Sequence, residues 1–562
     1  MNTIYRLVWN SARRLWVVAS ELTRAKKKSA TTGAALILCG FSAVAGTLSG
    51  TQYITGDGNS KNWQELFPVT GLEGDKVSTP SAWKINNEIW GKKATAYLFT
   101  AKDTHIKGGQ GKLGGIAIEG NYFYLKNNGG VHGGDGLAGG IAIHGYLSDI
   151  KNLAGGKITG GSGGVTSDNI YGSPDGSWRG GDALVITHIS SLDNQGIVQG
   201  GDGGASGHGG AGVVSSQDST IDNYKTIAGG KGGDAIPGDE TSPIEGGSGG
   251  DAIKGNQTRI YNALSGAIIG GNGGAGSVHN VSTIYSSSGY GGNGGAGISG
   301  NNNTINNDGH VIGGNGNNGG DGEHGYTRGG YGGTGGDAVT GTGLTVNNTG
   351  QILGGTGGTG GNSSPDLLLS PGGQGGSAGQ GISGDDITVT NSGLIQGGNG
   401  GNGGYAYKAG RFENGGKGGD AIKGSNLHIA NSGQLIAGKG GNDQADGAAL
   451  RFTGGVNTLT LYKGNDITGN IVLEQNTSGN SLSITSDVDT TVKGDLSVAS
   501  GANILIQQGQ GVNFAGSVFL EENATFINKN TLLNVSGIDN RGGTLTASNV
   551  NVSSWLLNDI RS

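Results

Sequence analysis

Four stretches of the 562-residue chain match the nonapeptide G-G-x-G-x-D-x-U-x, a pattern whose carboxylates can bind calcium between stacked turns: Gly229 to Pro237, Gly246 to Lys254, Gly332 to Thr340 and Gly415 to Lys423. That chemistry needs copies nine residues apart, so that carboxylates of adjacent turns meet. The closest copies here are 17 residues apart, and the expected role of Asp234, Asp251, Asp337 and Asp420 is instead to enter a strand. G-x-S-x-G occurs around Ser162, Ser248 and Ser377, but always inside a glycine run with no strand-turn-helix pattern to make a nucleophile elbow. The nine His are scattered singly, without metal spacing, and no phosphate-binding G-x-x-x-x-G-K-[ST] occurs. A carboxylate cluster such as Asp385-Asp386 could serve acid/base chemistry on a polysaccharide. Adjacent strand residues point to opposite faces, which weakens that reading. No catalytic residue, cofactor or metal is expected.

Side chains suited to recognition cluster at fewer places. Tyr171 with Trp178 and Arg179, Tyr285 and Tyr290, Tyr326 with Arg328 and Tyr331, and Tyr405 with Tyr407, Arg411 and Phe412 interrupt long glycine stretches. Tyr, Ser, Gly and Arg together make adaptable contact surfaces, although the same aromatics could instead pin one loop to the next.

The elements that position them follow a repeat. An aliphatic residue stands two positions before each of Asn127, Asn152, Asn194, Asn223, Asn262, Asn307, Asn348, Asn391 and Asn431. Gly and a second aliphatic residue follow, then Gly-Gly, a glycine-rich stretch, and a closing Gly-Gly-Asp-Ala-Ile-x-Gly in its fullest form. Each unit thus offers three apolar segments too short for helices and bounded by turn residues. Three strands per turn predict an all-β fold: a right-handed parallel β-helix solenoid with glycine-rich excursion loops. Asn-x-Gly is expected to turn a corner through left-handed backbone angles, and the nine Asn side chains to hydrogen-bond along the axis as a ladder.

Successive Gly-Gly pairs are 27 to 43 residues apart, whereas a bare three-strand coil needs roughly 20–25. The surplus lies between the second and third segments, so the excursions leave from one corner and line one side. Their Gly-Gly-x triplets suit closely packed, three-residue-per-turn extended helices.

Glycine, at 126 residues, is about three times its average share. Residues 1–45 carry seven Lys/Arg and one Glu, leaving 28 basic against 41 acidic residues, or −13, for the remainder. That balance argues against nucleic acid as a partner. The single Cys, Cys39, falls within the N-terminal apolar run, so the mature chain would form no disulfide.

Residues 1–45 read as a helical export signal, with Lys26-Lys27-Lys28, an apolar stretch through Leu36-Ile37-Leu38 and a cleavage site at Ala43-Val44-Ala45. Ahead of it lie Ile4-Tyr5-Arg6-Leu7-Val8-Trp9-Asn10 and Trp16-Val17-Val18-Ala19-Ser20-Glu21-Leu22. This extension closely resembles the extended signal peptide region of type V secretion proteins, and so of autotransporter passengers.

The resemblance implies export through the inner-membrane machinery of a Gram-negative bacterium to the cell surface or medium, or to the periplasm if no translocator is available. Residues 46–107 are expected to cap the solenoid, 108–454 to form the glycine-rich coils and 455–562 a tighter β-helical segment. No stretch before Ser562 reads as a membrane barrel, so the outer-membrane translocator is expected to be encoded elsewhere or lost. Neither the Asn-Pro motifs of two-partner exoproteins nor the Gly-Asp-Ser-Gly nucleophile of autotransporter proteases occurs. The expected function is a non-enzymatic adhesin or self-association factor acting in aggregation or biofilm, its surface ligand unidentified. A secreted polysaccharide-active enzyme on a β-helix and a truncated, non-functional remnant are the alternatives.

Overall fold

A computed structural model describes residues 5–10, 15–20, 48–49, 52–54, 64–70, 81–85, 88–89, 92–93, 95–164, 178–236, 245–278, 286–325, 327–365, 370–507, 509–529 and 532–557. In a middle coil, strand Thr388–Asn391 alternates outward Thr388 and Thr390 with inward Val389 and Asn391. A corner leads to Leu394–Gln396, which buries Ile395, and after the glycine excursion Ile422–Ser425 buries Ile422. Each strand pairs in parallel with its counterpart one coil on: Ile382 opposite Ile422, Val389 opposite Ile429 and Ile395 opposite Leu435. The chain is a parallel β-helix with three faces.

These residues are all buried, none more than 2% exposed. Each contributes about 1.5–3 kcal/mol of burial, obtained only against the coils before and after it.

The left-handed corner is not where the sequence placed it. Positive φ falls on Tyr122, Leu147, Gln257, Asn302, Asp386 and Asn426, between the strand that follows the excursion and the strand that carries the Asn. The glycine of Asn-x-Gly has no such angle; it is required by contact. A Cβ on Gly350, Gly393 or Gly433 would lie 2.1–2.2 Å from the backbone oxygen of the matching glycine one coil back. The asparagine tightens this corner itself, its Oδ1 accepting the glycine N–H two residues on, as from Gly393 to Asn391 at 3.2 Å.

The solenoid also starts earlier than the expected cap boundary at 107. Leu48–Ser49 pairs with Val69–Thr70 and that strand with His105–Lys107, while Trp83–Ile85 pairs with both Gln52–Ile54 and Ile118–Asn121. Residues there look non-repetitive because no glycine excursion marks the coil, and the buried Trp83 takes the place that Ile118 and Ile143 hold later. Towards the C-terminus the coils tighten, with Leu459 opposite Ile484, Ile484 opposite Ile506, and Phe526 opposite Leu545.

The chain divides into two units, Met1–Ala45 and Gly46–Ser562. In the first, the expected helix is replaced over its described part by Tyr5–Asn10 and Leu15–Ser20, paired antiparallel with Trp9 opposite Trp16. Runs of Tyr, Val, Leu and Trp favour extended backbone over helix. Ala43 and Ala45 lie outside the described residues.

Candidate binding surface on the glycine slab

Over their described residues the excursions are built as paired legs. Each runs out along one leg and back along another, and the legs of neighbouring coils pack into a two-layer slab. In the outgoing leg from Gly313, the N–H groups of Gly313, Gly316, Gly319 and Gly322 donate to the carbonyls of Leu353, Thr356, Thr359 and Asn362 in the next outgoing leg. Those of Gly314, Asn317 and Gly320 donate across the slab to Gly295, Gly292 and Gly289 of a returning leg. Bonding with a period of three is the geometry of a polyproline II helix, which has no internal hydrogen bonds and must find all partners outside itself. The layers are stitched by a zigzag from Gly336 to Gly314, Gly355 to Gly336, Gly379 to Gly355, Gly398 to Gly379 and Gly419 to Gly398, all 2.8–2.9 Å.

In most triplets only the third residue has room for a side chain, Asn317 at a second position being an exception, and the third residue's side chain takes the remaining N–H. Asn272 Oδ1 accepts from the Asn315 N–H, Asn315 from Thr356, Asn318 from Thr359, and Asn399 from Lys439, at 2.9–3.0 Å. These rows of Asn, Asp and Thr were missed as functional positions in the sequence. Their only signal there is the triplet Gly-Gly-Asn-Gly-Gly-Asn, which looks like low complexity.

The aspartates belong to the same scheme. Asp251 Oδ1 accepts from Ala296 N–H and its Oδ2 from Ser299, Asp337 accepts from Gln380 N–H and Ser383 Oγ, and Asp182 from Ala211 N–H. Each closes a returning leg against the next coil. Asp420, 4% exposed, accepts from Ala448 N–H and holds Arg451, whose guanidinium also reaches Glu474 at 3.2 Å. None of the four aspartates lies within a strand: Asp251, Asp337 and Asp420 stand two residues before one, and Asp234 lies on an outgoing leg, accepting from Ala275 N–H. Among the described residues no three His, Cys, Asp or Glu side chains meet in a way that could hold a metal. Asp385 and Asp386 are likewise engaged, accepting from Ser425 Oγ and Asn426 Nδ2.

Burial raises the Asp337 carboxyl above its ordinary value of 3.8, against hydrogen bonds from Ser383 and Gln380 that pull it down. The folded protein therefore holds this proton more tightly than the unfolded chain. The group favours the fold most below 3.8, and that contribution is lost as pH rises through the raised value. Asp337→Asn can keep the Gln380 bond through Oδ1 and donate to Ser383. We expect a flatter dependence of melting temperature on pH above 3.8, with stability at neutral pH unchanged or higher by about 1 kcal/mol. A variant destabilised at every pH would refute this.

The Asn ladder is continuous. From Asn127 to Asn431, each Nδ2 donates to the next Oδ1 at 2.8 Å through all eight steps, and Thr100 Oγ1 donates to Asn127 Oδ1 at 2.6 Å to cap it. All nine are at most 1% exposed, so the ladder is structural.

The recognition candidates separate. Trp178, expected at the contact surface, is instead buried, only 6% exposed, and its carbonyl accepts from Gly204 N–H inside the slab. Arg179, Arg328 and Arg411 are exposed. Tyr290 and Tyr331 occupy matching triplet positions on successive returning legs and stack at 4.9 Å and 11°. Tyr405 meets Tyr407 at 5.3 Å and Phe412 at 5.0 Å on a small antiparallel pair, Tyr405–Ala406 with Arg411–Phe412. Tyr407 and Phe412 stand 50% and 57% exposed. Tyr171, Tyr285 and Tyr326 lie outside the described residues.

With this geometry in place, comparison with known families adds one match. Residues 1–50 match the family described as Extended Signal Peptide of Type V secretion system. The chain thus carries a type V secretion signal and is exported from the cytoplasm, and the match supports its being an autotransporter passenger. No curated protein matches the chain.

Proposed function

We propose that this exported β-helix is a non-enzymatic adhesin or self-association factor that makes contact through the outer edge of its glycine slab. The observation that carries the reading is the aromatic cluster of Tyr405, Tyr407 and Phe412, half-exposed beside the exposed Lys408 and Arg411. Large apolar side chains grouped at one exposed edge suit a contact surface, and Tyr with Arg supplies both apolar area and hydrogen bonding. The two-layer lattice beneath supplies rigidity, so little ordering cost falls on the contact.

Display of the chain on cells, with and without Tyr407→Ala/Phe412→Ala, tests this. Adhesion or cell aggregation should fall about tenfold, as expected when two aromatic anchors are removed, while surface abundance and melting stay unchanged. Undiminished binding by the double variant would remove this edge as the contact surface.

A further inference from the structure

The slab face formed by outgoing legs carries a shallow groove of about 450 Å³ across four successive coils. Its floor is mostly glycine backbone; its polar side chains are Asn318, Asp321, Thr359, Asn362 and Asn402, with Ala275 and Val278 at one end and Phe412 at the rim. The lattice fixes one end of each polar group: the Oδ1 atoms of Asn318, Asp321, Asn362 and Asn402 accept backbone N–H groups of Thr359, Asn362, Tyr405 and Asn442. The opposite ends are unspent. The Nδ2 groups of Asn318, Asn362 and Asn402, the Thr359 hydroxyl and Asp321 Oδ2 have no protein partner among the described residues.

This arrangement offers donors and an acceptor in fixed positions beside one exposed aromatic ring. No Lys, Arg or His lines the groove, and its only charge is a carboxylate, so anionic ligands are disfavoured. Sugar hydroxyls donate and accept at once, and the apolar face of a pyranose ring packs on an aromatic side chain. Neighbouring outgoing legs lie one coil apart, about 4.8 Å by the spacing of paired strands. That step is close to the advance of one sugar in an extended chain, so successive rings would each meet an equivalent leg.

We infer that this groove binds an extended, neutral oligosaccharide lying along the solenoid axis, with Asn318, Asp321, Asn362 and Asn402 holding hydroxyls and Phe412 supporting a ring. The inference rests on the slab being a contact surface and names the chemistry of what it contacts.

Titration calorimetry of the exported chain with cellohexaose, chitohexaose and maltohexaose, and with polygalacturonate as the anionic comparison, tests it. At least one neutral hexasaccharide should bind. Asn362→Asp/Asn402→Asp, which keeps both Oδ1 acceptors but removes both donors, should weaken that binding at least tenfold with melting unchanged. Binding of none of the three, binding of polygalacturonate alone, or binding indifferent to the double variant would overturn the assignment. The two proposals fail separately: adhesion lost in Tyr407→Ala/Phe412→Ala without sugar binding leaves the edge contact standing and removes the sugar.

Discussion

Gly355→Val is expected to disrupt the slab around the middle coils and to cost about 3 kcal/mol or more, beyond the usual range for overpacking. Gly355 donates to Gly336 and accepts from Gly379, each at 2.9 Å, so it sits between two returning legs. A Cβ there would lie 2.0 Å from the Gly314 carbonyl oxygen and 2.7 Å from its carbon. No flexible side chain can give way, and Gly314 cannot retreat because its own Cβ position is 2.0 Å from the Gly271 oxygen. The clash therefore passes from leg to leg. Thr356→Ala, one residue on, is the control: Thr356 is exposed and its N–H still reaches Asn315, so the change should stay within about 0.5 kcal/mol. Hydrogen exchange resolves the effect by segment, with amides of the legs losing protection in Gly355→Val while those of the C-terminal coils keep theirs, since a solenoid couples mainly to its neighbours. Full leg protection in the valine variant would contradict the lattice.

The contrast between those adjacent residues explains what was legible in the sequence. Val389 and Asn391 announce an inward-facing strand end because the same pair of types returns nine times at one spacing, and stacking makes that repetition a direct image of the core. The glycine legs were legible as triplets, but not as a slab, because the partners of each N–H lie about 20 or 40 residues away on other legs. Asp234 shows the consequence. Its nonapeptide fits the same pattern as that around Asp251, yet one lies on an outgoing leg and the other closes a returning one.

Corners were hidden for a different reason. Left-handed backbone falls on Tyr122, Leu147 and Gln257 as well as on Asn302, Asp386 and Asn426, and only the last three are types that adopt it readily. The requirement comes from the strand pairing on both sides and overrides local preference. Trp178 was misjudged because an aromatic residue amid glycine looks like a surface anchor, whereas thin backbone leaves space that a large ring fills.

Asn391→Ala is expected to cost about 2–4 kcal/mol, because one buried side chain serves several partners at about 1 kcal/mol each. Its Oδ1 accepts from Asn348 Nδ2 at 2.8 Å and from Gly393 N–H, while its Nδ2 donates to Asn431 Oδ1 at 2.8 Å and to the Gly393 and Gln434 carbonyls. Asn391→Asp separates hydrogen bonding from packing. The introduced carboxylate can still accept from Asn348 and Gly393, but its second oxygen faces the acceptors on Asn431, Gly393 and Gln434, with no cation to compensate. Leaving a charge so placed costs several kcal/mol, more than the alanine change, at neutral pH. Protonation converts that oxygen into a donor, so the folded-state pKa of the new group must be raised. Its destabilisation should therefore shrink as pH falls towards about 4 and grow as pH rises, opposite to the loss of a paired carboxylate. Urea unfolding of the three proteins at pH 4 and pH 7 decides it: the aspartate variant should lie below the alanine variant at pH 7 and approach or exceed it at pH 4. An order that does not change with pH would mean that the ladder's direction, each amide donating towards the next coil, does not govern its stability.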